Sequence, residues 1–221
     1  MTSRPAWPDL IIFDCDGVLV DSEVLSCACL SELLGERGIA LGEDQVVELF
    51  LGRSTAALLS HYKDDRRFDA ATFLPELKSR VLQRFSEQLQ PIAGIEAVLS
   101  QLDAPCCVAS SSDLDRVRRS LALTGLAPLF GDRLYTAQMV AHGKPAPDLF
   151  LYAAAQMQAV PQRTLVIEDS VSGVTAGKAA GMTVWGFVGG SHYRSRDGRA
   201  MLYEAGADRV FDRMADFWSG Q

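Results

Sequence analysis

The sequence predicts an α/β protein, a doubly wound parallel sheet with a small all-helical segment inserted after the first strand. Three observations carry this. An apolar run, Leu10 to Phe13, ends in a carboxylate pair and a glycine, Asp14, Asp16 and Gly17. Helical periodicity then occupies residues 22–90. From residue 91 onward, short apolar strands alternate with helices, the pattern of parallel strands joined by crossovers.

Leu10 to Phe13 has the length and composition of a buried strand. Side chains alternate along extended chain, so Asp14 and Asp16 share one side and Cys15 points away from it. Asp-Gly alone would suit an ordinary turn. Two adjacent carboxylates repel, however, unless a cation, a proton or a reaction makes use of them.

After residue 22 the period changes to that of a helix. Val24, Leu25, Ala28, Leu30, Leu33 and Leu34 recur at helical spacing until Gly35 and Gly38 interrupt them, with Asp21 and Ser22 placed to cap and hinge the start. A second helix fits Glu43 to Phe50, and a third follows Ser54 as its N-cap. In the last, Phe73, Leu77, Val81, Phe85 and Leu89 form one stripe four residues apart, with Lys78, Arg80, Arg84 and Glu87 left for solvent. Pro91 and Gly94 stop the block. The expected division is a core of residues 1–21 and 91–221 and a bundle of about four helices over 22–90.

Further strands are expected at Cys106 to Ser110, Leu134 to Thr136, Thr164 to Glu168, Thr183 to Phe187 and Arg209 to Phe211, with helices at Asp113 to Leu123 and Val171 to Ala180. Asp113 and Asp115 suit a helix first turn, and Ser111 suits either an N-cap or a phosphate donor.

Composition narrows the class. A 221-residue chain that is 48% hydrophobic buries a full core. Its 28 acidic against 21 basic residues, net −7, argue against nucleic acid or an anionic membrane as partner. Arg116, Arg118 and Arg119 read as one solvated helix face. No apolar run approaches the ~18 residues that span a bilayer, and the first ten residues lack a signal-peptide core, so a cytoplasmic protein is expected. Five cysteines without paired CxxC spacing suit small buried side chains in a reducing compartment, and Cys27 and Cys29 point in different directions on a helix. His61, His142 and His192 are too scattered for a metal or a triad and read as structural or surface residues. No exposed apolar seam is legible, and a monomer is expected.

In a doubly wound sheet, ligands sit beyond the carboxyl ends of the strands near the switch point. Asp14 and Asp16 end one strand, Ser110 to Ser112 another, and Glu168 with Asp169 a third. Acidic, hydroxylic and acidic clusters thus converge on one rim. Four carboxylates there suit a hard divalent cation, and Mg²⁺ takes a few carboxylate oxygens together with substrate phosphate. Lys144, in GKPAPDLF, and the Ser110 and Ser111 hydroxyls suit a phosphate. A phosphate held beside a carboxylate points to phosphoryl transfer onto that carboxylate.

FDCDGVLVDSE, VASSS, GKPAPDLF and VIEDSVSGVTAGKAAGM, in this order, resemble the four motifs of the haloacid dehalogenase superfamily. They are most similar to its phosphatase branch with a helical cap after the first motif, in the 6-phosphogluconate phosphatase and β-phosphoglucomutase-like group. The resemblance implies that Asp14 is the nucleophile and Asp16 the general acid and base. It implies that Ser110 and Lys144 hold the phosphoryl group, with Gly17 letting backbone approach it. It assigns Mg²⁺ to Asp14, the Asp16 carbonyl and Asp169, with Glu168 in support. The expected partner is a small phosphate ester of a sugar, sugar acid or polyol. Gly52, Arg53 and Ser54, a polar loop between apolar helices, are expected to select its other end.

Three rival readings differ from this one at particular residues. Dehalogenases lack the second aspartate that Asp16 supplies. The mutases resemble a pattern with a histidine early in the first cap helix and an arginine after GVS; here Ser26 stands near the first place and Arg53 is displaced within LGRST. Phospho-accepting regulators have no helical block after strand 1.

Overall fold

The computed structural model describes residues 8–50, 55–194 and 196–219. Six parallel strands lie in one sheet: β1 (Leu10–Phe13), β2 (Cys106–Ser110), β3 (Leu134–Thr136), β4 (Thr164–Glu168), β5 (Thr183–Phe187) and β6 (Arg209–Phe211). Their order is β3-β2-β1-β4-β5-β6. The chain works outward from β1 through β2 and β3, then returns to lay β4 on the other flank of β1. This reversal puts the switch point beside β1, whose Phe13 is in register with Val108 of β2 and Ile167 of β4.

Alternation along β1 divides the core. Ile11 and Phe13 join one apolar layer with Val108, Leu165 and Ile167, while Leu10 and Ile12 join the opposite layer with Ala109, Val166 and Val184. Because both faces are covered, the strands read as continuous apolar runs rather than alternating ones.

Four helices follow β1: α1 (Glu23–Glu36), α2 (Glu43–Phe50), α3 (Thr55–His61) and α4 (Ala70–Gln88). They share an apolar cluster of their own, which includes Leu30, Leu33, Leu34, Val46, Leu58, Tyr62 and Phe73. The helix α1 runs through Gly35, where the sequence suggested an interruption; only Gly38, left-handed at φ +76°, lies past its end. Asp69 caps α4 by accepting the Ala71 amide at 3.1 Å.

The stripe on α4 serves two cores. Phe73 packs in the helical cluster, Val81, Phe85 and Leu89 pack in the sheet-side layer, and Leu77 touches both. Arg80 and Arg84, expected in solvent, instead reach Glu36 and Glu32 on α1 at 2.6 and 2.9 Å. The two chain crossings into the helical segment lie side by side, with the Asp21 amide donating to the Gln90 carbonyl and the Ile92 amide to that of Leu19, each at 2.9 Å.

On the sheet's Phe13 face lie α5 (Ile95–Ser100), α6 (Leu114–Leu123) and α7 (Ala127–Phe130), through Val98, Val117, Leu121 and Phe130. On the other lie α8 (Asp148–Gln156), α9 (Val171–Ala179) and α10 (Gly198–Glu204), through Phe150, Ala153, Val174 and Leu202. No helix of the described residues is long and apolar enough to cross a membrane.

Candidate active site

Asp14 leaves the end of β1, where its amide donates to the Ile167 carbonyl at 3.0 Å. Lys144, ahead of α8, crosses beneath it. Its Nζ donates to Asp14 Oδ1 at 2.9 Å, Glu168 Oε1 at 2.6 Å and the Ala109 carbonyl at 2.9 Å. The lysine side chain is only 2% exposed and sits 4.9 Å from the centre of the Phe150 ring. Burial opposes its charge, but Asp14 and Glu168 outweigh that and raise its pKa, so it stays protonated.

Asp14, Glu168 and Asp169 each bring a carboxylate oxygen within 4.8 Å of the others, all buried. Burial first, then mutual repulsion with Glu168, raises the pKa of both Asp14 and Asp169, and Lys144 only partly offsets it. Three carboxylates against one lysine leave two negative charges for a divalent cation to balance, and the donors are the hard oxygens that such a cation takes.

Two glycines give these carboxylates their places. A Cβ on Gly17, left-handed at φ +78°, would lie 1.8 Å from Asp169 Oδ2; one on Gly173 would lie 1.8 Å from Glu168 Oε1. Gly17 therefore makes room for Asp169, a need distinct from the approach of backbone to phosphate. Glu168 Oε2 accepts from the Ser170 amide and hydroxyl at 2.8 and 2.9 Å, and Ser170 N-caps α9 through the Gly173 amide.

Asp16 is held apart from this cluster. Its Oδ1 accepts from Ser22 Oγ at 2.6 Å and from Arg116 Nη2 at 2.8 Å, and its Oδ2 from Ser112 Oγ at 2.7 Å. Burial raises its pKa, but Arg116 and the two hydroxyls outweigh that and lower it. Its carboxylate is not among the three that converge.

Here the structure corrects the reading of Arg116 as a solvated residue. Arg118 and Arg119 are exposed, but Arg116 turns inward, 5.0 Å over the Phe85 ring, and donates to Ser26 Oγ at 3.0 Å. Ser22 begins α1 without a side-chain cap bond, because its hydroxyl is spent on Asp16; Asp21 instead accepts from the Ser191 amide and hydroxyl. The N-cap of α6 is Asp113, which accepts from the Arg116 amide at 3.0 Å, and not Ser111.

A cavity of about 500 Å³ opens over these groups. Asp14, Asp16, Ser110, Ser111, Lys144 and Asp169 line its floor, while Leu30, Phe50, Leu58, Leu74 and Val81 from the four helices line the opposite wall. That wall is more apolar than a small polar pocket would be. Ser110 is 1% exposed and accepts from the Ser112 amide at 3.0 Å. Gly52, Arg53 and Ser54 lie outside the described residues. Glu23, half-buried at the cavity edge, has its pKa raised to about 8, first by burial and then by Asp16 and Asp169.

One histidine belongs to this site after all. His192 is 4% exposed, and its Nε2 lies 3.2 Å from Asp169 Oδ2 but off the line of a hydrogen bond, so neither ring nitrogen has a partner. Burial lowers its pKa.

Residues 11–187 match the family model of haloacid dehalogenase-like hydrolases. The chain is similar to 6-phosphogluconate phosphatase of Escherichia coli (strain K12), 30% identical over 186 residues that cover 83% of this chain and 84% of that one. Among solved structures it is similar to a conserved haloacid dehalogenase-like protein of unknown function from Agrobacterium tumefaciens str. C58, with TM-score 0.82, 38% identity and 96% of each chain covered. It is also similar to a HAD family hydrolase from Deinococcus radiodurans R1 with bound phosphate and sodium, with TM-score 0.77, 34% identity, and 96% and 94% covered. The chain therefore belongs to the haloacid dehalogenase-like hydrolases.

Proposed function

We propose that this enzyme hydrolyses a small phosphate monoester, of a sugar, sugar acid or polyol, through an aspartyl phosphate on Asp14. The observation that carries the reading is the separation of two carboxylates only two residues apart. Asp14 lies in the cluster with Lys144, Glu168 and Asp169, while Asp16 is bound by Ser22, Ser112 and Arg116. Divergent environments assign divergent tasks to paired acids.

In the first step an Asp14 oxygen forms a bond to phosphorus as the ester P–O bond breaks, and protonated Asp16 gives its proton to the leaving alkoxide. In the second, Asp16 takes a proton from water, the resulting hydroxide attacks phosphorus, and inorganic phosphate leaves Asp14 as a carboxylate. Lys144 and the Ser110 hydroxyl hold the phosphoryl oxygens in both steps, with Ser111 as a further donor and Gly17 keeping the loop close. As Asp16 stands, ionised against Arg116, it is set for the second step; to serve as acid it must leave that partner and take up a proton. Mg²⁺ held by Asp14, Asp169 and the Asp16 carbonyl, with Glu168 in support, would supply charge neutralisation to the transferring phosphoryl group.

Residues 22–90 act as a cap over a core of residues 1–21 and 91–221, a division supported by the adjacent chain crossings at Asp21 and Ile92. Gly52, Arg53 and Ser54 are assigned to substrate selection on their place between two cap helices. The five free cysteines support a cytoplasmic location, and a monomer is proposed.

The test is phosphate release with Mg²⁺ from a panel of monoesters that includes 6-phosphogluconate, hexose 6-phosphates and β-glucose 1-phosphate. Fast hydrolysis of one ester is the expected result. Conversion of β-glucose 1-phosphate into glucose 6-phosphate with little free phosphate would make the protein a mutase instead.

A further inference from the structure

His192 has no role in the steps above, yet the structure gives it a made-to-measure place beside Asp169. Gly190 and Gly17 both lack side chains where its ring lies: a Cβ on the first would stand 2.6 Å from Cε1, and on the second 3.0 Å. Its neighbours are fastened to the site as well. The Tyr193 hydroxyl donates to the Asp169 backbone carbonyl, and the Ser191 amide and hydroxyl donate to Asp21 Oδ1 at 3.0 and 2.7 Å. Three consecutive residues thus reach the acidic cluster and the crossing into the helical segment.

We propose that Ser191–Tyr193 is a strap that sets the Asp169 carboxylate, with His192 as its positioning residue: its Nε2, 3.2 Å from Oδ2, turns onto that oxygen and donates to it when a cation holds the carboxylate. The inference rests on the metal-site reading above. A carboxylate that holds a cation is ionised and only accepts hydrogen bonds, so the facing imidazole nitrogen must then carry the proton. Oδ2 is wedged between Gly17 and His192, so that fixing it fixes the direction in which the other oxygen points. The imidazole is the side-chain nitrogen that faces Oδ2. Outer partners of this kind fix the orientation of a ligand carboxylate, and their loss costs roughly 10–100-fold in metal affinity.

The experiment measures Mn²⁺ binding by electron paramagnetic resonance, and KM for the best ester at saturating Mg²⁺, in wild type, His192→Leu, His192→Gln and Tyr193→Phe. His192→Leu should bind Mn²⁺ roughly 10–100-fold more weakly, with KM essentially unchanged. His192→Gln, which keeps an N–H near Nε2, should recover most of the affinity. If His192→Leu fails to fold, the pair His192→Gln and Tyr193→Phe carries the test, the first near wild type and the second weaker in Mn²⁺. Wild-type affinity in His192→Leu or in Tyr193→Phe, or a His192→Gln as weak as His192→Leu, would overturn the strap alone. A wild-type protein that binds no Mn²⁺ would overturn the metal-site reading and the strap with it.

Discussion

Arg116 and Asp16, 100 residues apart in sequence, meet with Nη2 2.8 Å from Oδ1. The contact ties α6 to the loop after β1, and through Ser26 and the Phe85 ring it also ties both to α1 and α4. Arg116→Ala removes the main group that lowers the Asp16 pKa, so the descending limb of the kcat/KM profile, which reports protonated Asp16 as the acid of the first step, should move to higher pH. Stability in urea should drop by about 2 kcal/mol, less than for a fully buried pair because the guanidinium is 22% exposed. A profile superimposable on wild type would remove Arg116 from the site's electrostatics.

Asp14→Asn keeps the shape of the side chain and removes the nucleophile. Phosphate release should fall by more than about a thousandfold, while the circular dichroism spectrum stays that of the wild type. Retained turnover would dismiss the aspartyl phosphate.

Addition of EDTA should stop phosphate release, and added Mg²⁺ should restore it. Three buried carboxylates, of which only Asp14 and Glu168 pair with Lys144, repel one another without a divalent partner, so Mg²⁺ should also raise Tm. Activity undiminished by EDTA would exclude the cation from the reaction.

Gly17→Ala places a methyl group on the Asp169 carboxylate and forces a side chain into left-handed backbone. The backbone term alone costs about 1–2 kcal/mol. The larger effect should be on Mg²⁺, whose half-saturating concentration rises as Asp169 is pushed aside. Gly173→Ala should act similarly through Glu168. Metal titrations of phosphate release check both, and wild-type curves would show that the acidic cluster tolerates displacement.

The carboxyl of Glu23 is neutral in the folded protein up to about pH 8, whereas its ordinary pKa is 4.5. Between these values the folded state binds a proton that the unfolded state has released. Its contribution to stability is therefore complete below pH 4.5 and is lost as pH rises through about 8. Glu23→Gln, which cannot ionise, should flatten the fall of Tm across that window, measured without divalent cations. An unchanged slope would place the dependence elsewhere.

The strands and the acidic cluster were legible because their signals are local. Leu10 to Phe13 and Thr164 to Glu168 are apolar runs ending in acids, and the rule that ligands gather at strand ends brought Asp14, Ser110, Glu168 and Asp169 together. Arg116 was not legible from its charge. It follows Asp113 by three and precedes buried Val117 and Ser120, which sets it on the edge of the inward face of α6, while Arg118 and Arg119 fall outside. Helical phase could have separated the three arginines; their grouping as one basic run hid it. His192 had no such signal, since its partner Asp169 lies 23 residues earlier and only the fold brings the two together. Gly17 was singled out for the approach of backbone to phosphate; the crowding of its Cβ position by the Asp169 carboxylate was not legible, because that carboxylate comes from another strand.

The shared stripe of α4 limits how the cavity can admit a substrate. Val81, Phe85 and Leu89 are rooted in the sheet-side layer, so swinging the four helices outward as one body would tear them from it. At about 1.5–3 kcal/mol for each large apolar side chain returned to water, that opening is prohibitive. The helix behaves as a fixed mast, and the freedom to admit and release an ester belongs to the far side, where α2 and α3 share only the separate apolar cluster with α1 and Phe73.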